Sequence, residues 1–289
     1  MKLVTFDDGK VGELRDGTVI ELDVPTMREY YERGAVADAT GSEHALEDVR
    51  LRAPIIPKKF LHTAGNFREH DEESKRVNWS HEIAPWIVFF QNVDAIVGPG
   101  EPVVYPEHLT EELDYELELA VVISKPGRWF GPEEAADHIG GYVIFNDITA
   151  RDIQRREMRS GVFSFCKSIE TFCPLGPWIV TPDELGDPHD LKMELRVNGE
   201  PRQESYSGNM SVTIPEILSH YSALGYSAGD VVSTGTVSGV AGFSEDAASL
   251  YLRPGDVMEA EIEKIGVLRN PVISWQEAHG QPPPEPVRW

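Results

Sequence analysis

Leu113-Asp114-Tyr115-Glu116-Leu117-Glu118-Leu119-Ala120-Val121-Val122-Ile123 decides how this chain is read. The run alternates and then turns apolar and β-branched, the pattern of a strand entering a core. Residues two apart share a strand face, so Glu116 and Glu118 stand side by side, roughly 7 Å apart at the backbone. Paired carboxylates on a part-buried strand repel unless a cation lies between them. Acids on the wet face of an alternating strand are the ordinary explanation of such a pair. The alternative is a divalent metal, because hard cations prefer oxygen ligands. A second apolar run, Gly140-Gly141-Tyr142-Val143-Ile144-Phe145-Asn146-Asp147, also ends on an acid. Sites tend to be assembled at strand ends from several strands. Glu116, Glu118 and Asp147, with no His or Cys nearby in sequence, fit an oxygen site for Mg²⁺ or Mn²⁺ with positions open to water or substrate.

With 289 residues the chain suits one large domain, or a small one plus a large one. Its 49 acids against 26 bases give a net charge of −23, which disfavours nucleic acid and anionic membranes as partners. The acids are dispersed through alternating segments, which argues for a folded chain. Cys166 and Cys173 match no zinc spacing and read as buried free thiols in a reducing cytoplasm. No apolar run approaches membrane-spanning length, and Asp7-Asp8 interrupts any signal-like start. The expectation is a soluble, cytoplasmic protein.

Residues 1–57 read as a small β-rich N-terminal domain, with turns at Asp8-Gly9 and Asp16-Gly17 and a short helix within Thr26 to Arg33. Pro54 and Pro57 punctuate its exit. Residues 58–275 read as short strands separated by turns, giving a mixed α/β, mainly β unit. Asn198-Gly199 marks a hairpin there, and the stretch from Ile214 to Tyr221 a helix with an early proline. Residues 276–289 include Gln281-Pro282-Pro283-Pro284-Glu285-Pro286 and read as a tail without regular structure.

Several polar residues invite a chemical reading. His70 and Glu73 are three apart in a charged segment and face each other if it is helical. A carboxylate beside imidazole fixes its tautomer and suits a general base, although a solvated surface pair has the same spacing. With Asn78-Trp79 following, the segment also fits a lid that orders on ligand binding. Lys167, among apolar and small residues, either snorkels to solvent or meets a carbonyl, carboxylate or enolate. Arg151 and Gln154 follow Asp147 at four and seven positions, one side of a helix if all three are helical. The stretch Ser233-Thr234-Gly235-Thr236-Val237-Ser238-Gly239-Val240 reads as a Gly-rich loop after a strand. It offers hydroxyl donors and close backbone approach, and it lacks the P-loop ending.

Taken together, the chain resembles the fumarylacetoacetate hydrolase superfamily, in particular its bacterial acylpyruvate-hydrolase-like members, from about Pro57 to Trp275. The likeness rests on Glu116-Leu117-Glu118, on the run from Asn146 to Gln154, on Lys167-Ser168, on Leu195-Arg196-Val197-Asn198-Gly199, on Ser233-Thr234-Gly235-Thr236 and on Gly266-Val267-Leu268-Arg269-Asn270. It implies a β-sandwich roll, usually a homodimer, with Mg²⁺ or Mn²⁺ on Glu116, Glu118 and Asp147. It further implies that His70 with Glu73 activates water, that Lys167, Gln154 and Arg151 position substrate and stabilise charge, and that Thr236 binds the substrate carboxylate. The implied reaction is hydrolysis of a carbon–carbon bond in a 1,3-diketo acid during breakdown of aromatic or cyclic compounds. Oxaloacetate decarboxylation, or hydration or isomerisation of a 2-oxo acid, is the alternative on the same metal. Two departures stand out. Members commonly carry Phe-x-Lys where this chain has Phe89-Phe90-Gln91, and Gly-Thr-Pro where it has Gly235-Thr236-Val237. With Gln91 replacing a cation at the substrate site, a less charged or bulkier diketone is expected, in contact with Trp79 or Trp86.

Overall fold

The computed structural model describes residues 1–76 and 86–285. Trp79 therefore lies outside the described residues. The expected mainly β, mixed architecture is found, built around one long sheet. Leu117–Ile123 lies near its middle and is buried along its whole length. On one side it pairs antiparallel with Ile139–Asn146, on the other with Val231–Thr236. Phe60–Ala64 continues the sheet in parallel, and Ile87–Phe90 closes that edge.

Alternation along the central strand divides the interior in two. Leu117, Leu119, Val121 and Ile123 enter the larger core. Facing them are Met193, Leu195, Met258, Ala260 and Leu268 of a second, five-stranded sheet, which runs in the order Glu200–Tyr206, Lys192–Val197, Val257–Ile262, Gly266–Ser274, Val103–Tyr105. Ala120 and Val122 point the opposite way, into a core with Phe60, Val143, Phe145 and Val231. Glu118 and Glu116 continue this second face. Period-two geometry thus carries the acids to the end of a packed layer, away from open solvent.

The strands of residues 1–57 are not a free-standing sheet. Lys2–Phe6 pairs with Cys173–Val180, so the N-terminal strands extend the long sheet beyond Leu22 to an outer edge at Ala39–Ala45. The Asp16-Gly17 and Asn198-Gly199 turns form as expected, with positive φ at all four residues. The early helix is Met27–Glu32, capped by the Thr26 hydroxyl. Both cysteines are buried and free. The tail begins later than expected, because Trp275–His279 is helical with its N-terminus capped by Ser274, and Gly280 ends it in the left-handed region.

Candidate active site

Two hydrogen bonds, one within the backbone and one from backbone to side chain, explain why acids 31 positions apart converge. Asp147 N–H donates to the Glu116 carbonyl (2.8 Å), and Glu116 N–H donates to Asn146 Oδ1 (2.9 Å). They extend the Leu117–Asn146 register past the strand ends. Glu116, Glu118 and Asp147 all line one cleft, together with His70, Arg151, Gln154, Lys167 and Thr236. Its other walls are apolar, chiefly Phe89, Met158, Phe163 and Phe243.

Lys167 resolves to the second of its two readings, because its ammonium is buried among carboxylates. Nζ donates to Glu116 Oε2 (2.8 Å), Asp147 Oδ2 (2.7 Å) and Thr149 Oγ1 (2.7 Å). Arg151 Nη2 lies 2.6 Å from Glu116 Oε1 and its Nε donates to Asp114 Oδ2 (2.7 Å). Burial raises the Glu116 carboxyl, but Lys167 and then Arg151 outweigh it and hold the group at about 2. Burial works against the Lys167 ammonium, yet Asp147 and then Glu116 keep its affinity for the proton above the ordinary lysine value. Glu118 goes the other way. Burial first, then the charges of Asp147 and Glu116, push it well above the ordinary carboxylate range, although it accepts a hydrogen bond from the Ser233 hydroxyl.

A helix begins at Arg151 (Arg151–Met158), so Asp147 sits just past a strand end, as its apolar run implied, and not on the helix face. Arg151 and Gln154 do share a face, and Arg151 Nη1 donates to Gln154 Oε1 (2.9 Å). The helix Arg68–Arg76 carries His70 and Glu73, with His70 Nδ1 3.4 Å from Glu73 Oε2. His70 is buried and stacks on Phe243 at 5.0 Å. Glu73 is held by the N–H of Gly239, 3.0 Å from its Oε1. The Gly-rich stretch is only partly a loop, since Val231–Thr236 is strand. Thr236 Oγ1 donates to the Leu117 carbonyl (3.1 Å) and accepts from Gln203 Nε2 (3.1 Å).

Gly239 has φ +97°, and a Cβ there would run into the backbone carbonyl of Arg202. Gly239→Ala should therefore displace the N–H that holds Glu73 and lower kcat by roughly 10- to 100-fold. Steady-state kinetics alongside a thermal melt separates this from general unfolding.

Two expectations need correction. Gln91 does not line the cleft. It is buried behind Asp147, with Nε2 3.5 Å from Asp147 Oδ1, because its backbone N–H bonds to the Phe60 carbonyl at the sheet edge and turns the side chain inward. Trp86 packs its ring on His220 at 4.2 Å and is absent from the cleft walls. Two buried residues went unread. Asp114 accepts from Arg151 and from the N–H groups of Ala241 (2.9 Å) and Gly242 (2.8 Å), tying the Phe243 segment to the helix. Asp114 stood in the opening stretch two residues before Glu116, and the alternation that paired Glu116 with Glu118 could have flagged it as well. His62, in Phe60–Ala64, lies 3.6 Å through Nδ1 from Asp147 Oδ2. A lone histidine within an apolar strand gives no metal spacing to notice.

The buried groups leave an electrical deficit. Among the described residues, Asp114, Glu116, Glu118 and Asp147, once ionised, have only Arg151 and Lys167 as cationic ion-pair partners of fixed charge. The shortfall of two charges suits a divalent cation, as does the high proton affinity of Glu118, which marks a carboxylate short of positive partners.

This chain belongs to the fumarylacetoacetate hydrolase family: the fumarylacetoacetate (FAA) hydrolase C-terminal model matches residues 59–273. It is an enzyme of that superfamily. It is 40% identical over 235 residues to oxaloacetate tautomerase YisK of Bacillus subtilis (strain 168), covering 79% of this chain and 75% of that one. Its fold matches fumarylacetoacetate hydrolase from Exiguobacterium antarcticum with a TM-score of 0.80 and 35% identity, over 95% of this chain and 99% of that one. It also matches maleylpyruvate hydrolase from Sphingobium sp. SYK-6, solved with manganese(II) and pyruvate, with a TM-score of 0.74 and 26% identity over 95% and 99% of the two chains.

Proposed function

We propose that this protein is a divalent-cation-dependent hydrolase that cleaves a carbon–carbon bond in a 1,3-diketo acid of the acylpyruvate kind. The observation that carries this reading is the meeting of two devices in one cleft: a carboxylate cluster short of two positive charges, and an imidazole backed by a carboxylate. Glu116, Glu118 and Asp147 would hold the cation, Mg²⁺ or Mn²⁺. When bound, it supplies Lewis acidity and a template for the 2-oxo acid end of the substrate. His70, oriented by Glu73, takes a proton from water, which adds to the distal carbonyl. The bond between that carbon and the pyruvate methylene then breaks, and its electron pair stays on the pyruvate fragment as an enolate. The proton held by His70 returns to that fragment. Gln154 donates toward developing oxyanion charge, the Lys167 ammonium, with its three N–H groups on Glu116, Asp147 and Thr149, supplies positive charge nearby, and Thr236 meets the substrate carboxylate. Phe89, Phe163 and Met158 favour an apolar acyl tail.

A second reading has its own support in the likeness to YisK: the same base, moving a proton between carbon and oxygen, would interconvert the keto and enol forms of oxaloacetate. One experiment separates the two. Acylpyruvates are incubated with Mn²⁺-loaded protein while enol absorbance and free pyruvate are followed together. Stoichiometric pyruvate supports hydrolysis. Loss of enol absorbance without any carbon fragment supports tautomerisation and removes the first reading.

The proton affinity of Glu118 makes cation binding pH-dependent. Its folded value is raised above 4.5, so between that pH and the folded value the native chain keeps a proton that the unfolded chain has lost. This contribution to stability is present at low pH and fades as pH rises. Glu116, held at about 2, acts oppositely and only below 4.5: its contribution is complete above that pH and is lost as pH falls toward 2. A bound cation must displace the Glu118 proton. The rise in melting temperature on adding Mn²⁺ should therefore be larger at about pH 8 than at about pH 5.5, and calorimetry in two buffers should detect proton release.

A further inference from the structure

We propose that His62 is a nitrogen ligand of the cation and that it biases the site toward Mn²⁺ and its first-row neighbours, away from Mg²⁺. The inference rests on the cation reading above and adds to it one residue and a metal preference.

His62 is 1% exposed, and neither ring nitrogen has a hydrogen-bond partner among the described residues. A buried imidazole without a partner costs stability that phenylalanine in the same slot would not. The slot itself is aromatic. Phe60 lies 4.7 Å from the ring and Phe89 4.5 Å, inclined to it by 30° and 29°, while Phe145 meets it edge-on at 4.8 Å. These three rings fix the plane of the imidazole and leave its nitrogen edge as the only polar feature of the stack.

That edge faces the acids. His62 pairs in register with Ser233, whose hydroxyl bonds Glu118, so His62 and Glu118 occupy the same sheet face. Nδ1 stands 3.6 Å from Asp147 Oδ2, too far for a hydrogen bond. One ligand atom each from His62, Glu118 and Asp147 lies within 4.8 Å of the others. Ligands of an octahedral ion stand about 3 to 4.5 Å apart, so modest side-chain movement closes this set on a single ion.

Nitrogen changes which ion is preferred. Mg²⁺ favours oxygen and water, whereas imidazole suits transition metals, whose affinity rises from Mn²⁺ toward Cu²⁺. Neutral imidazole, entering beside three carboxylates, adds affinity for these ions without adding negative charge.

The test uses the full chain stripped of metal, in its native form and as His62→Phe, which keeps the aromatic stack but has no nitrogen. Dissociation constants for Mn²⁺ and for Mg²⁺ are measured by calorimetry, and the Mn²⁺-loaded proteins are examined by electron spin-echo spectroscopy. The native protein should show coupling to a directly bound nitrogen, His62→Phe should lack it, and the Mn²⁺-to-Mg²⁺ affinity ratio should fall at least about tenfold. Should His62→Phe misfold, His62→Gln serves the same comparison. Tight Mn²⁺ binding with no nitrogen coupling, or a ratio unchanged by either variant, overturns the role of His62 while leaving the cation reading intact. Failure of the native protein to bind either ion overturns both.

Discussion

Exchanging His70 for Gln should lower kcat by roughly 10²- to 10⁴-fold while leaving the melting temperature nearly unchanged. His70 packs on Phe243 and is the one cleft imidazole backed by a carboxylate among the described residues. Gln keeps bulk and polarity but cannot accept and return a proton near neutral pH. The 3.4 Å separation from Glu73 is longer than a good hydrogen bond, as apo catalytic pairs often are, and tightening is expected when substrate fills the cleft. Glu73→Gln should give a smaller loss and shift the pH–rate profile, since it alters the orientation and basicity of His70 without removing it. The measurement is kcat against pH for both variants. Activity of His70→Gln within about threefold of native would remove His70 from the chemistry.

Arg151→Met should produce the largest loss of stability. Its guanidinium is buried and bridges Asp114 and Glu116, both buried carboxylates. Asp114 keeps its bonds from Ala241 and Gly242 and Glu116 keeps Lys167, but Asp114 loses its charged partner and Glu116 one of its two. Breaking a buried pair from one side costs about 3–5 kcal/mol, because the remaining charge stays desolvated. For a chain of this size that corresponds to roughly 6–20 °C in melting temperature. Adding Asp114→Asn to Arg151→Met should recover part of the loss, which a double-mutant cycle would detect. If each change cost less than about 1 kcal/mol and the two were additive, the buried pairing would contribute no more than an exposed ion pair does.

The central strand, the Asp-Gly and Asn-Gly turns and the first helix were legible because each rests on local pattern: period two, turn chemistry, a proline ahead of a helix; the helix carrying His70 stood only as one possibility. The candidacy of Glu116, Glu118 and Asp147 for one cleft was legible because each acid stands at an end of an apolar run: two open one, the third closes another. Asp147 was legible as the end of an apolar run, but it does not lie on a helix with Arg151 and Gln154, since the short pairing of Thr149–Ala150 with Leu113–Asp114, which depends on a distant partner, comes between. Gln91 was misread for a related reason. Its position near Asp147 follows from the edge pairing of Ile87–Phe90 on Phe60–Ala64, which no local signal announces.

Sequence alone was sufficient to mark three acids and a histidine–glutamate pair as candidates, since alternation and spacing are properties of neighbours along the chain, and the resemblance of the whole motif set pointed to the family. Tertiary structure alone could bring His62 to Asp147, lodge Lys167 between Glu116 and Asp147, and join Asp114 to the Gly242 backbone. Those pairings depend on parallel and antiparallel registers between segments tens of residues apart. A charge that reads as solvated in the linear chain becomes buried, and so strongly coupled to its neighbours, only when the sheets close over it.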